Sequence, residues 1–105
     1  MNARFRVNSV FAISSRSIFV LSGVVTEGIV HKGDYLCAPF NLGVPIIGVE
    51  LVLLRTWKEE PALAFQYRSP DELALWESID WVGQELEVVE SPAAAGPALK
   101  MSNDR

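Results

Sequence analysis

Apolar residues in this chain alternate with polar ones or gather in short unbroken runs, which is the pattern of β-strands. Phe5, Val7 and Val10-Phe11-Ala12-Ile13 predict a first strand, and Ser14 to Ser17 a polar turn. Ile18 to Val25 is almost continuously apolar, as in a strand buried on both faces, and Gly23 within it predicts a bulge or bend. Thr26-Glu27-Gly28 and Lys32-Gly33-Asp34 are turns, and Tyr35 to Ala38 is a third strand. A loop from Pro39 to Pro45 leads into a long strand region, Ile46 to Trp57, with Gly48 as a second bend. Lys58-Glu59-Glu60-Pro61 reads as a charged turn, and Ala62 to Arg68 as a strand with Leu63, Phe65 and Tyr67 on one face.

One helix interrupts this pattern. Ser69-Pro70-Asp71-Glu72 has a capping serine, proline at the first helical position and glutamate three residues after the cap, a capping box with acids at the positive end of the helix dipole. Leu73, Trp76 and Ile79 form its apolar stripe, so the helix is expected to run to about Asp80. Val82-Gly83-Gln84 turns the chain into a last strand, Glu85 to Val89. Residues 1–90 are thus expected to form one all-β domain, a closed small β-barrel of about six strands with one short late helix. Ser91 to Arg105, rich in small residues and without periodicity, reads as a disordered tail.

The length, 105 residues, suits one domain with a core of its own. Half of the residues are hydrophobic and 21% charged, which excludes a disordered chain. The formal charge of -4 opposes binding of a polyanion by the molecule as a whole and leaves only a local basic patch for that task. Cys37 is the single cysteine, so no intrachain disulfide forms and a reducing cytoplasm is the expected compartment. Arg4 and Arg6 before an apolar run imitate a secretory leader, but Ser14 to Ser17 breaks the run. The apolar stretches fall short of the roughly 20 residues that span a bilayer.

The order of elements from Val10 to Asp34 resembles the opening of the β-barrel domain 2 of the translational GTPases, the elongation factor Tu group. Val10-Phe11-Ala12-Ile13 is similar to that family's first strand, and Arg16 stands where its turn arginine stands. Gly23, Gly28, Gly33 and Asp34 are similar to its glycine framework, and Gly48-Val49-Glu50 to a later segment. Ser15 and Ser17 replace the two turn glycines, one extra residue precedes Gly23, and the region after Lys58 departs from the family pattern. In those factors the domain helps to hold the aminoacylated 3′ end of tRNA and contacts the ribosome. The resemblance therefore implies Glu50 as a contact for an RNA end and Arg16 as a phosphate contact. The residues alone also allow Glu50 to be an outward polar position and Arg16 a solvated turn residue.

Catalytic chemistry is thin. No phosphate-binding glycine loop of the GTPase type is present, so nucleotide binding is not expected. A lone His31 and Cys37 fall short of the four ligands of a zinc site, and Cys37 reads as a small buried hydrophobe rather than a nucleophile. Neither a metal nor a cofactor is expected. Of the three tryptophans, Trp76 fits the helix's apolar stripe, while Trp57 beside Lys58 and Glu59 is a candidate interface residue. The expected function is that of a non-catalytic barrel acting through protein–protein contacts, with a translation component or as a small cytoplasmic inhibitor or immunity-type protein. Its contact residues would be Glu50, Arg16 and Trp57, with Trp76 and Trp81 nearby. The alternative is an RNA-binding barrel for tRNA or rRNA.

Overall fold

The structure, a computed structural model, describes residues 2–53, 59–96 and 98. Six antiparallel strands form one sheet: β1 (Ala3–Ile13), β2 (Ile18–Glu27), β3 (Tyr35–Ala38), β4 (Gly48–Leu53), β5 (Glu59–Gln66) and β6 (Glu85–Val89). Their spatial order is β3-β6-β1-β2-β5-β4, with helix α1 (Pro70–Glu77) between β5 and β6 and helix α2 (Pro92–Ala95) after β6. The two edge strands are β3 and β4. Just before them, the Gly33 N–H donates to the Ile46 carbonyl (2.8 Å), and the Ile46 N–H to the Asp34 carbonyl (2.8 Å). No helix among the described residues is long and apolar enough to cross a membrane.

The β1–β2 ladder carries the closest approach in the fold. Its register slips between Val7 and Ser9, placing the extra residue in β1 opposite Gly23. A Cβ at Gly23 would lie 1.8 Å from the Arg6 carbonyl oxygen, so only glycine fits. Phe19 through Gly23 are all buried, as the unbroken apolar run predicts. Phe19 and Leu21 point into the core with Phe5, Val7, Leu63, Phe65 and Leu86, whereas Val20 and Ser22 are buried on the opposite face.

Strand β5 begins earlier than expected. Glu59, Glu60 and Pro61 pair with Leu53, Val52 and Leu51 rather than forming a turn. The Ala64 carbonyl accepts from Ile47, so even-numbered residues of β5 bond toward β4 and odd-numbered ones toward β2. The β2 ladder stops at Ala62, and the missing N–H of Pro61 falls beyond its end, where no partner is lost.

The Ser69 hydroxyl caps α1 by accepting from the Glu72 N–H (3.1 Å). Glu72 does not complete the expected capping box. Its carboxylate accepts from the Arg68 N–H (2.7 Å) and Nε (3.1 Å), and pairs with the Arg68 terminal guanidinium nitrogen. These bonds hold the Glu72 carboxyl below its usual range against the opposing effect of burial. The helix ends at Glu77 rather than near Asp80, because the Ser78 hydroxyl and the Trp81 indole N–H take the Leu75 and Trp76 carbonyls at 2.6 and 2.7 Å. Residues 91–96 also differ from the expected tail. Ser91 caps α2, Ala95 is buried, and the Asn41 amide donates to the Gly96 carbonyl (2.8 Å).

Gly23→Ala is expected to destabilise the protein by about 3 kcal/mol or more, read from the urea unfolding midpoint, since the clash is with backbone that cannot rotate away. Glu72 has a lowered folded-state pKa, so its stabilisation is present above the unfolded-state value and disappears as pH falls through the folded-state value. Glu72→Gln should therefore lower stability by about 1 kcal/mol at neutral pH. The difference from the parent should vanish in acid titrations followed by thermal melting.

Candidate binding face

Strand alternation sends every second residue of β1, β2, β5 and β4 away from the core. The ladders align these outward residues in rows: Ile13 with Ile18, Phe11 with Val20, Ala64 and Gly48, and Ser9 with Ser22, Ala62 and Glu50. The middle of this outer face is floored by the small side chains of Ala62 and Ala64. A depression of about 90 Å³ there is bounded by Phe11, Ile13 and Val20. Phe11 and Ile13 are 39% and 38% exposed, an apolar cost that packing inside the chain does not remove.

Both charged residues singled out by the resemblance reach this depression. Arg16 comes from the 3₁₀ turn Ser14–Arg16, which the left-handed Ser17 (φ 58°) returns into β2. Glu50 comes from the opposite side, on edge strand β4, with its carboxylate lying over Gly48. Both are exposed, and among the described residues neither makes a hydrogen bond or ion pair. Along the same face, Asn8 donates to Glu60 Oε2 (2.8 Å), the Ser9 and Ser22 hydroxyls are hydrogen bonded, and Glu60 Oε1 is buried without a partner.

The remaining expectations sort out differently. Trp57 lies outside the described residues. Trp76 and Trp81 are 1% and 2% exposed and cannot form an interface. Both rings pack on Phe19, at centroid separations of 5.5 and 5.9 Å, and Trp81 also meets Phe40 at 5.3 Å. Their role is to close one end of the core. His31 and Cys37 have separate partners. The His31 ring lies 3.8 Å from the Asp34 carboxylate, while the Cys37 thiol, half-buried rather than buried, faces the Ala94 carbonyl at 3.6 Å. Among the described residues no group of three or more His, Cys, Asp or Glu is placed to hold a metal ion.

Two of the larger hollows are less suited to binding a charged partner. One, of about 530 Å³, lies beside Ser17, Val44 and Tyr67, but its cation, Arg68, is engaged by Glu72. The other, of about 390 Å³, is walled by Val25, Ile29 and Pro61 and shares Glu50 with the outer face. The sequence marks Arg16 and Glu50 but misses Phe11 and Ile13 as part of the site. Their signal is the run Val10 to Ile13, where apolar residues occupy both faces of a strand. Comparison with protein-family models, curated proteins and solved structures gives no match to this chain.

Because Arg16 and Glu50 have no hydrogen-bond or ion-pair partners among the described residues, Arg16→Ala and Glu50→Gln should each leave the unfolding free energy within about 0.5 kcal/mol of the parent in thermal melts. A larger loss would place either residue in the stabilising framework instead of on a free surface.

Proposed function

We propose that this chain is a non-catalytic binding module that works through protein–protein contacts made by the outer face of β1, β2, β5 and β4. The observation that carries this reading is the pair Arg16 and Glu50, unpartnered among the described residues, at the rim of an apolar depression beside the exposed Phe11 and Ile13. Apolar side chains supply contact area, and unpaired charges at their border select a partner of complementary charge. The net charge of -4 favours a basic partner, as a translation component or the target of a small inhibitor would be. The single half-buried thiol suits a reducing cytoplasm.

We take the sheet to be the wall of a closed small barrel of the elongation factor Tu domain 2 type. The two backbone bonds joining Gly33 and Asp34 to Ile46 support closure, since they link the segments that enter the two edge strands. The clash that a Cβ at Gly23 would make supports the framework role assigned to this glycine by the resemblance. A second reading, an RNA-binding barrel, is favoured by one observation: Arg16 and Glu50 share a single depression, as a site for an RNA end would require. The carboxylate of Glu50 and the acidic chain work against it, because affinity for RNA comes mainly from phosphate neutralisation.

Capture of partners by the tagged chain from its own cell lysate, with and without RNase, separates the two. A protein that survives RNase and is lost with Phe11→Ser is the expected result. Ribosomal or tRNA-handling proteins that disappear with RNase, together with tRNA binding that weakens steeply with salt, would replace it with the RNA reading.

A further inference from the structure

We infer that the free edge of β4 takes an extended segment of a basic protein partner as an added strand. The basic character of that segment rests on the protein-contact reading above. Strand β4 bonds to β5 through Gly48, Glu50 and Val52, because the even-numbered residues of β5 bond toward it. The N–H and C=O groups of Val49, Leu51 and Leu53 therefore point away from the sheet. Among the described residues no backbone hydrogen bond reaches them.

The two edges of the sheet are not alike. Strand β3 is four residues long, its pairing with β6 slips between Leu36 and Ala38, and Pro39 follows it. Helix α2 lies beside it, with the Ala94 carbonyl facing the Cys37 thiol. A short strand, a bulge, a proline and a covering helix all keep an edge from pairing. Strand β4 contains no proline and, apart from Glu50, no charged residue. Such a strand invites a further one.

There is room for it. The bonds that tie Gly33 and Asp34 to Ile46 hold the chain before β3 to the start of β4. Beyond them a hollow of about 390 Å³ has Gly28, Ile29 and Val30 on one side and Val49 on the other, with Val25 and Pro61 completing it. Ile29 is 72% exposed and Val49 39%. Val49 pairs with Leu63, a core residue, so its side chain lies on the inner side of the sheet and that of Glu50 on the outer side. An added strand turns alternate residues the same two ways, an apolar one into the hollow and its neighbour outward beside Glu50.

Charge selects the outward residue. Among the described residues, the charged side chains of β4 and β5 are Glu50, Glu59 and Glu60, all acidic. Glu60 accepts from Asn8, whereas Glu50 makes no hydrogen bond or ion pair. Arg6 lies on β1 and Arg16 at the β1–β2 turn, with β2 and β5 between β1 and this edge. Lys32 stands next to the Gly33–Ile46 bond, at the closed end of the gap. A strand of alternating apolar and basic residues thus suits both sides of the edge, its main chain giving affinity and its side chains specificity.

The probe is the peptide acetyl-Lys-Val-Lys-Val-Lys-Val-amide, compared with the same peptide carrying Glu for Lys. In titrations of the intact chain to about 1 mM followed by amide NMR, the basic peptide should shift the Val49, Leu51 and Leu53 amides and slow their hydrogen exchange. It should bind about tenfold or more tighter than the acidic one. Val49→Pro removes an N–H that faces the free edge and no bond of the β4–β5 ladder. It should weaken binding about tenfold or more with an unchanged circular dichroism spectrum. Glu50→Lys, at an exposed position, should reverse the preference between the two peptides.

Slow exchange of these amides in the free chain would show an edge already covered and overturn the inference. So would peptides that leave them unmoved, or unchanged binding by Val49→Pro. Lysate capture separates this inference from the wider reading. A captured protein lost with Phe11→Ser but kept with Val49→Pro would reject the added strand and leave the outer face standing. One kept with Phe11→Ser but lost with Val49→Pro would retain the strand and reject the outer face.

Discussion

The close approach of Gly23 to the Arg6 carbonyl is the constraint on which the rest of the sheet depends. In the strand order, β1 stands between the β3–β6 half and the β2–β5–β4 half, and it bonds to β6 through Ala3–Arg6 and to β2 along nearly its whole length. Where the two pairings overlap, the backbones come too close for any side chain at Gly23. The bulge after Val7 takes up the difference in register. Beyond the bulge, the outward residues of β1 are Phe11 and Ile13, which places apolar side chains beside the depression. The same local device that joins the two halves thus sets which residues face outward.

The end of the core is closed by aromatic packing rather than by further strand pairing. Trp76 and Trp81 lie against Phe19, and the Trp81 indole N–H donates to the Trp76 carbonyl, so that ring is buried with its polar atom paired. The Arg68–Glu72 pair, together with the Ser69 cap, holds the start of the helix that carries Trp76. One consequence bears on binding. With Trp76 and Trp81 committed to the core, the exposed apolar side chains of the described residues are smaller ones, among them Phe11 and Ile13 on the sheet's outer face.

Electrostatics divides the surface in two. On the outward side of β1, β2 and β6, Arg4 lies near Glu27 and Glu85 at 3.8 and 3.7 Å, and Thr26 and Asn2 donate to Glu85 and Glu87. Arg4, Glu27, Glu85 and Glu87 there have partners within the chain. Around the Ala62–Ala64 floor, Arg16 and Glu50 make no hydrogen bond or ion pair among the described residues.

Much of the fold was legible in the sequence because local chemistry decides it. All six strands follow from alternating apolar positions or short unbroken apolar runs, and the Ser69-Pro70 start of α1 follows from its capping residues. The need for glycine at position 23 was visible as an anomaly in an apolar run, but its cause, a carbonyl seventeen residues earlier in the chain, belongs to tertiary pairing. Pairing also drew Glu59 to Pro61 into β5 against their turn-like composition, and packing on β3 and β6 ordered the segment after Ser91. The binding face divides in the same way. Residue type marked Arg16 and Glu50 as candidates, but 34 positions separate them in the chain. Only the β1–β2–β5–β4 ladder, with side chains that alternate across the sheet, brings them to the borders of one depression.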